Sequence, residues 1–153
     1  MPSVNSNYQI VAFCCQYCAY AAADLAGGLR LQYPPQVKII QIPCTGKMDI
    51  LYALQCFEKG VDAVIVAGCM PGDCHFLEGN YNAIRRVERV KDLLRTIGLE
   101  PERIKMYHIS SSMASQFVSA IEEMLTMVEK LGPNPLRSID KAKQKEAISK
   151  GAG

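Results

Sequence analysis

Short, continuous apolar runs alternate along the chain with longer stretches in which apolar side chains recur every three or four positions. Gln9–Cys14 (QIVAFC), Val37–Ile42 (VKIIQI), Ala63–Ala67 (AVIVA) and Ile104–Ile109 (IKMYHI) are the short runs. Runs of this length, bounded by polar or turn-forming residues, predict strands; Gln9–Cys14 has the continuous apolar signature of a strand buried on both faces, and Ala63–Ala67 is the most apolar of the four. The longer stretches predict helices over Ala21–Gln32, Met48–Lys59, Asn82–Ile97 and Ser115–Leu131. Each ends at a residue that cannot continue a helix cheaply: Tyr33-Pro34-Pro35, Gly60, Gly98 and Gly132-Pro133. Proline lacks the N–H and clashes with the preceding turn, and glycine accepts the left-handed conformation of a helix stop.

A helix between successive strands makes neighbouring strands parallel, with right-handed crossovers. The predicted fold class is therefore α/β, a small doubly wound parallel sheet of about four strands with helices on both faces, flavodoxin-like in its order 2-1-3-4. Residues 1–136 are expected to make one domain. Residues 137–153 form a charged tail, poor in large apolar residues. Such a segment is expected to be solvated or frayed, or to order against a partner.

Composition narrows the function classes. The 153 residues are 49% apolar and 21% charged, the balance of one soluble domain. A net charge of +2 supplies no basic field for nucleic acid. No run approaches the roughly 20 apolar residues that a spanning helix needs, so no membrane span is expected. The opening MPSVNSNYQI lacks the basic and apolar regions of a secretory signal, and a cytoplasmic location is expected. One count changes the picture: seven cysteines beside two histidines and no tryptophan. An odd number of thiols in a reducing compartment points to metal binding or redox chemistry, not to a disulfide scaffold.

Placed on the predicted elements, the cysteines are not scattered. Cys14, Cys15 and Cys18 end the first strand, Cys44 ends the second, and Cys69 and Cys74 follow the third. In an open α/β sheet, sites form beyond the carboxyl ends of the strands where the strand order reverses. The local spacings suit a metal: Cys15-x-x-Cys18 grips one ion from a single turn, Cys44-Thr45-Gly46 adds a thiolate from a tight turn, and Cys69-x4-Cys74 loops through Pro71-Gly72. Four thiolates suffice for a 2Fe–2S or 4Fe–4S cluster or for zinc. Cys15, Cys18, Cys44, Cys69 and Cys74 are therefore the candidate ligands, one more than required. Cys14 lies within an apolar strand and Cys56 beside an inward Phe57, and both are expected to be packing residues.

Asp73 and His75 flank Cys74, and His75 is expected to hydrogen-bond a sulfur. A mixed site with His108 as second nitrogen ligand is the minor alternative. Ser110, Ser111 and Ser112 are expected to cap the fourth helix. Arg85, Arg86, Arg89 and Lys91 share the third helix with Glu88 and Asp92, as on a solvated face. Asp24 is a helix-face or partner-facing charge. The glycine-rich motifs of dinucleotide and nucleotide sites are absent, and so is an evident acid–base pair.

Three motifs together are similar to one family, the delta subunit of methyl-viologen-reducing nickel–iron hydrogenase. They are Phe13-Cys14-Cys15-Gln16-Tyr17-Cys18-Ala19-Tyr20 with Ala23-Asp24, Cys44-Thr45-Gly46-Lys47, and Gly68-Cys69-Met70-Pro71-Gly72-Asp73-Cys74-His75-Phe76 with Gly79-Asn80. Gly132-Pro133-Asn134-Pro135-Leu136 adds to the likeness, which spans about residues 8–137. Lys47 and Phe76 stand where that family more often has arginine and tyrosine. The resemblance implies a 2Fe–2S cluster held by four of the five candidate cysteines. It implies an electron relay to the flavin-containing, A-type component of heterodisulfide reductase, from a hydrogenase, formate dehydrogenase or methylenetetrahydrofolate reductase module. It implies a component that transfers electrons without making or breaking bonds in a substrate. From the residues alone, two other readings stay open: a zinc-stabilised interaction domain, and a thiol–disulfide protein using Cys15 and Cys18.

Overall fold

A computed structural model of the chain describes residues 7–151. Strand β1 (Ile10–Cys15) leads through helix α1 (Ala19–Gly28) to β2 (Val37–Ile42). A 3-10 turn over Thr45–Lys47 and helix α2 (Ile50–Glu58) lead to β3 (Ala63–Gly68). Helix α3 (Gly79–Ile97), β4 (Ile104–His108), α4 (Ala114–Leu131) and α5 (Leu136–Lys150) complete the described chain. All strand pairs are parallel and the sheet order is β2-β1-β3-β4, as the alternation of patterns predicts. Strand β1 is central, with Cys15 level with Ile42 of β2 and Cys14 level with Ala67 of β3.

The central strands are buried on both faces because each pleat meets a helix layer. Ile10, Ala12, Ile65 and Ala67 pack with Ala19, Ala22, Phe117 and Ile121 of α1 and α4. Val11, Phe13, Val64 and Val66 pack on the opposite face with Phe57, Val87, Val90 and Leu94 of α2 and α3. The small residues of α1 let that helix lie close to the sheet. At about 25 cal/mol per Å2 of apolar area, burying one such valine or phenylalanine contributes about 1.5–3 kcal/mol.

Several boundaries differ from the pattern-based expectation. Helix α1 ends at Gly28, short of Gln32, because Gly27-Gly28 weakens the last turn and Arg30 adopts a positive φ of 57°. Helix α3 begins at Gly79, three residues before Asn82, since its first turn carries no apolar periodicity. No serine side chain caps α4: Ser110 Oγ lies 3.3 Å from Ser112 Oγ, and the helix starts after Met113. The charged tail forms α5 with no buried side chain. It is tethered at its first turn, where Arg137 donates to the Gly60 carbonyl at 3.0 Å, to the Asn7 carbonyl at 2.7 Å and to the Asp62 carboxylate.

Candidate metal centre

The sheet order reverses between β1 and β3, and the thiols gather there. Cys15 is the last residue of β1, and Cys18 sits at the start of α1. Cys69 directly follows β3. Cys18 Sγ lies 3.3 Å from Cys69 Sγ, and Cys15 Sγ lies 4.0 Å from it. These three sulfurs fall within 4.8 Å of one another, and among the described residues they form the one metal-competent group of three. Cys44 and Cys74 form a second, adjoining pair at 3.9 Å. All five are buried in the same cluster, on the α1/α4 side of the sheet.

Backbone donors surround these sulfurs. The N–H groups of Tyr17 and Cys18 support Cys15, that of Ala19 supports Cys18, and that of His75 supports Cys69. Gly46 N donates to Cys44 Sγ at 3.3 Å. Cys74 receives the N–H groups of Asn80, Phe76 and Gly79, two of them from the open first turn of α3. The ionisation behaviour follows. The Cys18 thiol donates to Cys69 Sγ at 3.3 Å and also faces Cys15; with the local amides it holds the Cys15 thiol down at about 6, and Cys18 itself is driven upward. Burial opposes ionisation at Cys74, yet its amide donors prevail and lower it. Burial raises Cys44 and Cys69. Cys14 differs: burial first, then the neighbouring Cys15 charge, pushes its thiol up to about 12. Cys56, half-buried in α2, is raised mainly by burial. The amides thus distinguish the five candidate ligands from the two packing thiols.

Three glycines make the close approach possible. A Cβ on Gly79 would lie 2.2 Å from Cys44 Sγ and 3.1 Å from Cys74 Sγ. A Cβ on Gly46 would lie 2.8 Å from the Gly79 Cα, so the Cys44 turn rests backbone to backbone on the start of α3. A Cβ on Gly68 would collide with Thr45 at 2.6 Å. Asn80, fully buried, donates to the Met70 carbonyl at 3.0 Å and the Cys69 carbonyl at 3.5 Å, tying the Cys69-x4-Cys74 loop to α3. His108 Nδ1 lies 2.8 Å from the Cys69 carbonyl oxygen. These positions are the parts of the site that sequence reasoning missed as a functional set. The one signal for them was the Gly79-Asn80 pair five residues past Cys74.

The flanking residues fall outside the sulfur cluster. Asp73 is exposed at the tip of the loop. The His75 ring stacks on Tyr17 with centroids 4.1 Å apart and meets the edge of Phe76, while its backbone N–H is what reaches Cys69. Tyr17, Phe76 and Leu77 are 45%, 53% and 80% exposed, so the sulfurs lie just below an aromatic and aliphatic rim. Arg86 is not on a solvated face as the helix pattern suggests. It donates to the Met48 carbonyl at 3.0 Å and to the Gly46 carbonyl.

The donor set matches a thiolate-bound metal group: five buried free thiols, amides directed at each, and glycines that open space between them. Fold and site together define a small α/β protein organised around a cysteine centre at its switch point. The model of the family described as "Methyl-viologen-reducing hydrogenase, delta subunit" matches residues 10–132, and the chain belongs to that family. It is 52% identical over 129 residues to the vhu iron-sulfur protein of the F420-non-reducing hydrogenase, D-type, of Methanocaldococcus jannaschii, covering 84% of this chain and 96% of that one. Its counterpart in Methanococcus maripaludis is 49% identical over 129 residues, with the same coverage. A third relative is far longer. The A-type component of the Ferredoxin/F(420)H(2)-dependent CoB-CoM heterodisulfide reductase of Methanosarcina acetivorans is 36% identical over 124 residues, which cover 81% of this chain and 16% of that protein. No helix among the described residues is long and apolar enough to cross a membrane.

Proposed function

We propose that the chain is a cytoplasmic electron-transfer component carrying a 2Fe–2S cluster on four of Cys15, Cys18, Cys44, Cys69 and Cys74. The observation that carries this is the gathering of five buried sulfurs, each supported by backbone N–H groups, at the switch point. Such a cluster supplies a one-electron carrier whose potential depends on charge, hydrogen bonds to sulfur and solvent exposure. The chain's own residues set those conditions. The amides of Tyr17, Gly46, His75 and Asn80 favour thiolates, and burial excludes water. The thin rim of Tyr17, His75 and Phe76 leaves a short path to a docked partner.

The partners we propose are a hydrogenase, formate dehydrogenase or methylenetetrahydrofolate reductase module on the input side and an A-type flavoprotein of heterodisulfide reductase on the output side. The names of the Methanocaldococcus and Methanococcus relatives support a hydrogenase on the input side. The second is supported by the long Methanosarcina relative, in which a segment like this chain is covalently part of an A-type heterodisulfide reductase chain. Fusion raises effective concentration without a new contact, so a separate chain is expected to dock where the fused one is tethered.

Anaerobic purification tests the reading. The protein should be brown, contain about two iron per chain and give a reduced 2Fe–2S signal by electron paramagnetic resonance. Colourless protein with one zinc per chain would instead establish a zinc-stabilised domain. Metal-free protein with a titratable Cys15–Cys18 disulfide would establish the thiol–disulfide reading.

A further inference from the structure

We infer that Arg86 is a positioning residue of the cysteine centre: it clasps the Cys44 turn to α3, and its charge acts on whatever the sulfurs hold. The inference rests on the proposed metal centre for its second half and on geometry alone for its first.

Cys44 stands apart from the other candidate ligands in how it is held. Cys15 and Cys18 belong to the β1–α1 junction, and Cys69 and Cys74 are joined by one loop that Asn80 anchors. Cys44 comes from an edge strand, and its turn has no strand partner beyond Ile42. Yet Cys44 Sγ must stay 3.9 Å from Cys74 Sγ. Cys44 Sγ itself sits over Gly79 of α3, and the turn behind it meets the helix at Gly46 and at Arg86. Gly46 lies flat on Gly79, a contact without side chains and so without interlocking. Seven residues further along α3, two turns on and on the same helix face, Arg86 reaches the carbonyls of both Gly46 and Met48. One guanidinium group therefore bridges the two carbonyls on the carboxyl side of Cys44. The same helix supplies Cys74 with the Gly79 and Asn80 amides. Helix α3 is thus the common frame for Cys44 and Cys74, and Arg86 makes the Cys44 turn part of that frame.

Both bonds leave one nitrogen, Nη1, whose two N–H bonds are fixed in the guanidinium plane, whereas an ammonium on a flexible stem holds no such fixed pair of directions. It is also a permanent cation close to a site of several thiolates. A positive charge there favours the more negative, reduced state of a bound centre. Arg85, its neighbour in sequence, reaches only Asn82 at 3.4 Å on the exposed side of the helix and provides a matched control.

The experiment compares the native chain with Arg86→Gln, Arg86→Lys and Arg85→Gln. In the metal-free reduced protein, alkylation of each cysteine by iodoacetamide is followed by mass spectrometry. Loss of two hydrogen bonds to a charged donor should speed modification of Cys44 on the order of tenfold in Arg86→Gln. Cys14 and Cys56 should be unaffected, and Arg85→Gln should match the native chain. In reconstituted protein, the midpoint potential should fall in Arg86→Gln and stay near native in Arg86→Lys, which keeps the charge. A purely structural role would not separate those two variants in potential. Native Cys44 protection in Arg86→Gln overturns the clasp, and equal potentials in Arg86→Gln and Arg85→Gln overturn the electrostatic half. A native chain that takes up no iron would sink the iron–sulfur reading, and the alkylation arm would still decide the clasp.

Discussion

The two ends of the sheet carry buried chemistry of opposite kinds. At the amino end, Asp62 is fully buried and accepts from Gln9 N at 2.7 Å, from Asn134 N at 2.7 Å and from Arg137. Asn134 donates to the Phe57 and Val61 carbonyls at 2.9 and 2.8 Å. Arg103, 1% exposed, donates to the Asp62 and Gly132 carbonyls, both at 3.1 Å, and pairs with Glu100. Donors and acceptors there satisfy one another, and the network closes on itself. At the carboxyl end, the sulfurs have each other at 3.3–4.0 Å, the Pro43 carbonyl 3.9 Å from Cys15 Sγ, and a set of amides. Thiols make weak hydrogen bonds, and amides directed at them favour the charged thiolate. One end is complete as it stands, whereas the other is organised for something that binds thiolate. The same fold thus stores stability at one edge and chemistry at the other, and each is open to damage without the other.

The most severe test of that division is Gly79→Ala. A methyl group 2.2 Å from Cys44 Sγ cannot be accommodated by moving a flexible chain end, because α3 backbone and the Cys44 turn are already in contact. Most of the bound iron should be lost, read as iron per chain and visible absorption, while the amino-end network keeps the chain folded by circular dichroism. Native iron content in this variant would show that Cys44 and Cys74 do not act together. The complementary change is Asp62→Ala. It leaves Arg137 and the Asn134 amide without their acceptor and should destabilise the fold by about 3–5 kcal/mol in denaturant titration. Iron per folded chain should be unchanged. A fall in iron matching the fall in stability would mean that the two ends are coupled and the comparison fails.

Much of this is legible in the sequence, for identifiable reasons. The runs QIVAFC and AVIVA announce strands buried on both faces, and helices between them dictate parallel order. Strand ends also bring Cys15, Cys18, Cys44, Cys69 and Cys74 together, since parallel order places every carboxyl end on the same side of the sheet. What escapes depends on contacts between distant residues. Asn134 meets Phe57 across 77 positions, and Arg137 meets Asp62 across 75. No local periodicity records such a pairing. Arg86 reads as one more charge on a polar helix face until the Cys44 turn is seen to lie beneath it. The pattern around Cys74 suggests that His75 offers its ring to a sulfur, but Tyr17 stacks on that ring and the backbone N–H is what faces Cys69. The regularity of α5 is hidden because its helix-forming residues carry no apolar face.

A smaller effect comes from pH in the metal-free chain. The Cys18 thiol and the local amides hold Cys15 at about 6, below the roughly 8.5 of a free thiol. A lowered folded value adds stability that is present above the free-thiol range and lost as pH falls toward 6. Cys18 is raised by the same contact, so its contribution is present below the free-thiol range and lost as pH rises beyond it. Stability should therefore peak between these limits. Under reducing conditions, Cys15→Ser should flatten the acid side of the denaturation-midpoint profile. A profile unchanged by that substitution would remove the Cys15–Cys18 contact from the account, and with it part of the contrast with the amino end.

The smallest effect belongs to the thiol that takes part in neither the sulfur cluster nor the side-chain network of the amino end. Cys56 sits in the last turn of α2, half-buried against the face that Phe57 and Val61 help to form. Cys56→Ala removes one partly buried sulfur, a loss of about 1 kcal/mol in packing. It also gains helix propensity of about 0.5 kcal/mol, because alanine is a better helix former than cysteine. The net change in unfolding free energy should be within about 1 kcal/mol, with native iron content and native Cys44 protection. Loss of iron in this variant would require a route from α2 to the sulfurs that the contacts of Cys56 do not provide. A null result has its own use: it separates the presence of a thiol from the arrangement that makes five of the seven cysteines a candidate centre, namely the amides at the carboxyl end of the sheet.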